Sequence, residues 1–174
     1  VAGRFDEALG QLVASLKVAR DLGSRLLECI VLCNLGMVCE SMSRFDEALE
    51  HFEASLAVAR ELGDQRSEGQ FLGYLGLLHA RQSRFDLAHS CLTAGEALLH
   101  AVSDWLSLAI LLCSRAELEH LTGNSNAAKA ALAEADTIAA ATSAGPASEI
   151  GQALARVRVL VEPTLAISTT DRVI

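Results

Sequence analysis

The chain repeats itself at an interval of 40 residues. The hexapeptide RFDEAL begins at Arg4 and returns at Arg44, and it returns once more at Arg84 as RFDLAH. A fourth, weaker copy keeps only the alanine of the motif, with Ala128 in the place of Ala88. A fixed period of tens of residues is typical of stacked supersecondary units, none of which buries its apolar face alone. The repeat therefore predicts an array stabilised by contacts between successive units.

Each period contains two helical stretches separated by short breaks. In the stretch 45–62, apolar residues recur at three- and four-residue steps, which is typical of an amphipathic helix. The breaks at Gly23-Ser24 and Gly63-Asp64 place a glycine, which readily ends a helix in the left-handed conformation, beside a polar residue that can cap the next helix. The pattern predicts helices at about 4–22, 25–42, 45–62, 65–82, 85–101, 104–121, 125–142 and 147–161.

These helices define the expected domain organisation. The segment 162–174 contains Pro163 and shows no period, so we expect a loosely ordered tail there. The chain begins at Val1 without an initiator methionine and enters a helical pattern directly, so we expect it to be a piece of a longer protein. The predicted repeat domain at 1–161 comprises a half repeat at 4–22, repeats at 25–62, 65–101 and 104–142, and a terminal helix at 147–161.

Charge and cysteine content narrow the class of partner and the compartment. The net charge of −8 opposes binding to phosphate backbones and to anionic lipids, so we expect neither a nucleic acid nor a membrane as partner. The five cysteines form no C-x-x-C pair and lie within helical patterns. They indicate buried free thiols in a reducing compartment, which predicts a cytoplasmic location.

The packing positions resemble those of the tetratricopeptide repeat family. Leu32, Leu35 and Gly36 on one helix and Ala48 and Phe52 on the next fall where that family places its conserved packing residues. The period of 40 exceeds the family's usual period of about 34. It resembles the longer subtype found in kinesin light chain, the Partner-of-Inscuteable proteins and bacterial regulators. The resemblance implies an all-α fold, an α-solenoid of antiparallel helix pairs in a right-handed superhelix, with about three and a half repeats plus a terminal helix.

The resemblance also implies a concave groove, lined by the first helix of each pair, that takes a peptide or a partner protein. Tyr74 and Met37 are suited to hold an apolar side chain there and Arg81 an acidic one, although Tyr74 and Met37 also fit simple helix packing. The lysine and asparagine set that holds a chaperone tail in relatives is absent. The predicted groove residues are Asn34, Met37, Gln70, Tyr74, Leu77, Arg81, Ser114 and Glu117.

Motifs for catalysis or metal binding do not rise above chance in this sequence. The glycines Gly69, Gly73 and Gly76 lack the strand and the lysine of a phosphate-binding loop, so they indicate close helix packing. Cys29 and Cys33 share a helix face, which leaves a metal site as the alternative to buried thiols. We therefore expect no enzymatic activity, no catalytic residue, no metal and no cofactor.

The last predicted helix is apolar on more than one face. Because exposed apolar patches often mark interfaces, Val157 and Leu160 are candidate self-association residues of a homo-oligomer.

The sequence and the resemblance indicate two candidate functions. The first is a non-catalytic protein–protein interaction scaffold within a bacterial signalling or regulatory protein. The alternative is a structural or oligomerisation module that self-associates through its terminal helices.

Overall fold

The computed structural model describes residues 2–162, and every regular element in that part of the chain is an α-helix. The predicted bounds agree with the observed ones to within two residues. The segment 163–174, which holds almost all of the expected tail, lies outside the described residues. The helices are α1 (Ala2–Asp21), α2 (Arg25–Ser41), α3 (Phe45–Leu62), α4 (Gln65–Arg81), α5 (Phe85–Ala101), α6 (Trp105–Leu121), α7 (Ser125–Ala141) and α8 (Glu149–Val161).

The 40-residue period consists of two equal steps of 20 residues. Helices α2 to α7 begin at 25, 45, 65, 85, 105 and 125, and one residue of each preceding turn has a positive φ. Glycine fills this left-handed position in some turns, and serine occupies it in others despite the steric cost to its Cβ. The left-handed residues are Gly23, Ser43, Gly63, Ser83, Ser103, Gly123 and Ser143.

Aspartates cap two of the first helices, and the break pattern predicts the cap at Asp64. The Asp64 carboxylate accepts a hydrogen bond from the Ser67 backbone N–H at 3.1 Å, and Asp104 accepts one from Ser107 at 3.3 Å. Ser24 stands at the same position before α2, but its side chain makes no capping hydrogen bond, so the predicted cap there is wrong. The backbone of this turn nevertheless follows the pattern of the other turns, because Gly23 adopts the left-handed conformation there.

Consecutive helices pack in pairs, and the pairs stack. The closest partners are α2 with α3, α4 with α5, and α6 with α7. Stacking then joins α3 to α4, α5 to α6, and α7 to α8, while α4, α6 and α8 also pack against one another in succession. Helix α8 therefore occupies the place of the first helix of a further pair. This arrangement is an α-solenoid of helical hairpins.

Glycines allow the two helices of a pair to approach closely. A Cβ atom added to Gly36 would lie 2.6 Å from the ring of Phe52, and one added to Gly76 would lie 2.7 Å from Leu92 and 3.3 Å from the carbonyl oxygen of Ala88. Such contacts are shorter than carbon atoms tolerate, so larger residues would force the helices apart. The seam between the helices thus explains the glycine at each of these two positions.

A second glycine contact joins α4 to α5. A Cβ atom at Gly69 would lie 3.1 Å from the carbonyl oxygen of Gly95, and one at Gly95 would lie 2.8 Å from the carbonyl oxygen of Gly69. Gly73 differs, because its added Cβ would meet Leu111 of α6 at an ordinary 3.5 Å. Close packing, predicted for the three glycines of α4, is confirmed for Gly69 and Gly76 but not for Gly73.

The terminal helix buries its apolar stripe against α6 and α7. Val157 is fully buried at 0% exposure, which corrects its assignment as a self-association residue. The stripe recurs at three- and four-residue steps, so the side of α8 that carries Val157 is the side that closes the core. Leu160 is 37% exposed and Val159 is 73% exposed, so these two side chains lie outside that core.

Candidate functional site

All of the predicted groove residues except Glu117 line two adjoining cavities on the side where α2, α4, α6 and α8 face one another. One cavity, of about 500 Å³, is named here the Arg81 cavity, and the other, of about 310 Å³, the Asn34 cavity. Of the predicted residues, the Arg81 cavity is lined by Met37, Tyr74, Leu77, Arg81 and Ser114, and the Asn34 cavity by Asn34, Met37, Gln70 and Tyr74.

Tyr74 lies at the boundary of the two cavities. Its hydroxyl donates a hydrogen bond to Glu149 Oε1 at 3.0 Å and accepts one from Gln70 Nε2 at 3.2 Å. Its ring stacks on Phe52, with centroids 6.0 Å apart. Burial, together with the neighbouring carboxylate of Glu149, raises the pKa of Tyr74, so the hydroxyl remains a donor at neutral pH. Tyr74 therefore packs between helices and also presents its hydroxyl to the groove.

Arg81 is paired within the chain. Its Nε donates to Glu117 Oε1 at 2.8 Å and its Nη1 donates to Glu40 Oε1 at 2.7 Å, so one side chain of α4 joins α2 to α6. Arg156 of α8 approaches Glu117 more loosely, at 3.8 Å. Burial raises the pKa of Glu40, and Arg81 partly opposes that effect. Because two carboxylates already hold Arg81, its main contribution is to the shape of the groove.

Three of the predicted groove residues offer little surface. Leu77, Ser114 and Glu117 are 5%, 2% and 6% exposed. The Ser114 hydroxyl donates to the carbonyl oxygen of Ile110 at 3.4 Å, and Glu117 holds Arg81. These side chains form the floor of the groove, whereas Asn34 is exposed. The accessible surface of the groove thus belongs mainly to residues of α2, α4 and α8.

Helix α8 supplies groove residues that the sequence analysis missed. The sequence analysis considered this helix only for its apolar residues and for self-association. The signal was available in the spacing, because α8 follows α6 as α6 follows α4, and its groove residues stand 39 positions after their counterparts. Glu149, Ala153 and Arg156 correspond in this way to Ile110, Ser114 and Glu117, and together with Gln152 they line the Arg81 cavity.

The cysteines are free thiols. Cys29, Cys33, Cys39 and Cys113 are buried as predicted, and Cys91 is half-buried. Burial raises the pKa of Cys29 to about 11 and that of Cys33 to about 12, which keeps both protonated at neutral pH. The Cys29 thiol donates to the carbonyl oxygen of Ser55 at 3.4 Å. Within residues 2–162, no group of three or more His, Cys, Asp or Glu side chains is placed to hold a metal ion.

The fold and the groove define a class of protein, the helical-repeat scaffolds. The family model of the tetratricopeptide repeat matches residues 1–61 and 27–99, which together exceed half of the chain. The chain belongs to the tetratricopeptide repeat family. Repeats of this family generally mediate protein–protein interaction and are typically non-catalytic. No curated protein matches the chain. In the described part, no helix combines the length and the apolar character needed to cross a membrane.

Proposed function

We propose that this chain is a non-catalytic scaffold that binds a peptide, or an extended segment of a partner protein, in the groove formed by α2, α4, α6 and α8. The observation that carries the proposal is the pair of adjoining cavities, which meet at Tyr74. Two neighbouring cavities along one face suit successive side chains of one extended ligand. The pairing of Arg81 with Glu40 and Glu117 joins α2, α4 and α6 within the chain, which supports a groove that is formed without a ligand.

Side-chain amides support an extended ligand in particular. Asn34 and Gln70 both line the Asn34 cavity, one on α2 and one on α4. An amide donates and accepts hydrogen bonds, and the backbone of an extended peptide offers both a donor and an acceptor at each residue. Met37 and Tyr74 lie between the cavities and supply apolar surface next to these amides.

The experiment is a selection of peptides from a random display library on the wild-type chain, followed by affinity measurements on the selected peptides. We expect the double variant Asn34→Ala, Tyr74→Phe to weaken binding at least tenfold, because it removes one amide and the hydroxyl but keeps the ring that stacks on Phe52. Lys129→Ala, an exposed change on α7, is the control and should leave affinity unchanged. Equal binding by all three proteins would remove the groove as the site.

Self-association through the terminal helices is the second candidate function. Leu22, at the end of α1, is 72% exposed and Val159 on α8 is 73% exposed, so apolar side chains face solvent at both ends of the array. Sedimentation velocity on the wild type and on Leu160→Glu tests this candidate. A concentration-dependent dimer that the substitution abolishes would support it, and a monomer at all concentrations would reject it.

The cellular setting is part of the proposal. The free thiols and the net charge of −8 suit a cytoplasmic protein that does not bind nucleic acid. The 40-residue period supports a place in a signalling or regulatory protein of the bacterial type, because the longer subtype is typical of that group.

A further inference from the structure

Among the residues that the structure describes, Glu149 is the only charged one that lines the Asn34 cavity. The rest of the lining combines apolar side chains, among them Ile30, Met37 and Phe71, with the amides of Asn34 and Gln70. A pocket with apolar walls and one acid favours a side chain that has an aliphatic stem and a cationic end.

Glu149 differs from the other groove carboxylates in having no cationic partner. Glu40 and Glu117 are both bound by Arg81. Among the residues that the structure describes, no basic side chain lies within ion-pair distance of Glu149, whose only side-chain hydrogen bond comes from Tyr74. It lies in the first turn of α8 and is exposed. Glu149 is therefore an acidic side chain that Tyr74 orients and that is available to a ligand.

We infer that the Asn34 cavity binds a basic side chain of the bound peptide, arginine in preference to lysine. This inference rests on the proposed function. The methylene groups of the ligand side chain would lie along Met37 and Phe71, and its guanidinium would pair with Glu149. Arginine is preferred because its planar group matches the geometry of a carboxylate and stacks on an aromatic face such as that of Tyr74. The net charge of −8 attracts a cationic peptide over longer distances.

The Tyr74 hydroxyl is compatible with this ligand. It uses one lone pair of Glu149 Oε1, so Oε2 and the second lone pair of Oε1 remain available to the guanidinium. The carbonyl groups of Asn34 and Gln70 are further acceptors, and arginine has five N–H donors against the three of lysine. A neutral or acidic side chain would leave Glu149 without a cation.

The test repeats the display selection with wild type, with Glu149→Gln and with Glu134→Gln. Glu134 is an exposed glutamate on α7, so its substitution is the matched control for loss of one acid. We expect arginine to be enriched at one peptide position with the wild type and the control, and that enrichment to disappear with Glu149→Gln. Circular dichroism of the three proteins verifies that their helical content is equal.

Synthetic peptides then measure the coupling between the peptide arginine and Glu149. Replacing the enriched arginine by norleucine is expected to weaken binding to the wild type at least tenfold, but binding to Glu149→Gln less than twofold. Replacing the same arginine by lysine should give an intermediate affinity for the wild type. Selected peptides without an enriched basic residue, or with the same arginine preference on Glu149→Gln, would overturn the inference and leave the groove function standing. Recovery of no peptide above background would overturn both.

Discussion

The junction between α2 and α4 differs from the junction between α4 and α6. Aromatic side chains fill the first, where Phe52 of α3 stacks on Tyr74 of α4. The second contains Gly73, whose added Cβ would lie 3.5 Å from Leu111. Helices α4 and α6 pack against each other, whereas α2 makes no comparable approach to α4. The same repeat thus produces a wide junction between α2 and α4 and a narrow one between α4 and α6.

The wide junction is where the Asn34 cavity lies. Apart from Glu149, all of the residues lining that cavity belong to α2 and α4. Phe52 corresponds to Leu92 in the next repeat, and both are fully buried. A phenylalanine at this position therefore accompanies a gap between first helices, and a leucine accompanies close packing. The comparison leads us to expect that the size of this core side chain affects the spacing between neighbouring first helices.

Removing the ring of Phe52 should have the largest effect on the free energy of unfolding. We expect Phe52→Ala to reduce the free energy of unfolding by about 3–5 kcal/mol, because it removes a fully buried ring and leaves a cavity. Urea unfolding monitored by circular dichroism measures the change. Leu92→Ala should cost about 2–5 kcal/mol without changing peptide binding in the Asn34 cavity. A loss below about 1 kcal/mol for Phe52→Ala would mean that the ring does not hold the wide junction.

Adding a methyl group at Gly95, beside α4 and α6, should reduce the free energy of unfolding less than removing the Phe52 ring. Gly95→Ala places a Cβ atom 2.8 Å from a backbone oxygen of Gly69 and 2.8 Å from Leu111, so we expect a loss of about 1–3 kcal/mol in urea unfolding. Gly10→Ala in α1 is the control, since no atom lies within 4 Å of its added Cβ, and it should gain about 0.5–1 kcal/mol. Equal effects of the two alanines would show that close packing is unimportant at Gly95.

Arg81 spans both junctions, so Arg81→Met tests them together. At pH 7 we expect a loss of about 1–3 kcal/mol, because the half-buried carboxylate of Glu40 and the buried one of Glu117 lose the cation that pairs with them. The pKa of Glu40 is already raised by burial and should rise further in the variant. A raised folded-state pKa favours the protonated folded protein, so the deficit should be smallest near pH 4 and should grow as the pH rises through the folded pKa.

Urea unfolding of the wild type and the variant between pH 4 and pH 7 measures this dependence. Arg60→Met is the matched control, because Arg60 is 56% exposed and pairs only with Glu68, and it should cost less than about 1 kcal/mol. A deficit for Arg81→Met that does not vary with pH would contradict the assigned role of the two carboxylates.

The smallest expected effect on stability concerns the aspartates that cap α4 and α6. Burial would raise the pKa of Asp104, but the hydrogen bonds from Ser107 and the ion pair with Arg66 at 2.8 Å lower it overall. A lowered folded-state pKa stabilises the fold above the unfolded value, and this contribution is lost as the pH falls through the folded pKa. Asp104→Asn keeps a capping side chain, so we expect a loss of about 0.5–1 kcal/mol at pH 7 that fades toward pH 3.

Asp64→Asn is the counterpart in the wide junction. Asp64 makes the same cap with Ser67, but the position that corresponds to Arg66 is Leu26, so no ion pair supports it. Thermal unfolding at pH 7 should separate the two variants, with the smaller loss at Asp64. An equal loss would assign the effect at Asp104 to capping alone.

Local and periodic signals made much of the fold predictable. Apolar steps and break residues placed the helices to within two residues, because helix and turn propensities act between neighbours in the chain. The left-handed serines such as Ser43 escaped notice, since only their place in the 20-residue spacing marks them. The groove residues of α2, α4 and α6 followed from the resemblance. Those of α8 were missed, because α8 had been interpreted as the terminal helix of the array.

By itself, then, the sequence determined the repeat, the helical hairpins and the family, because a periodic pattern permits few ways to bury its apolar residues. Only the tertiary structure decided the functional details. It paired Arg81 with two carboxylates of the chain and buried Val157. It also brought Glu149 to Tyr74 across 75 residues. These outcomes depend on the distances between stacked helices, which the summed volumes of core side chains set and which no local pattern encodes.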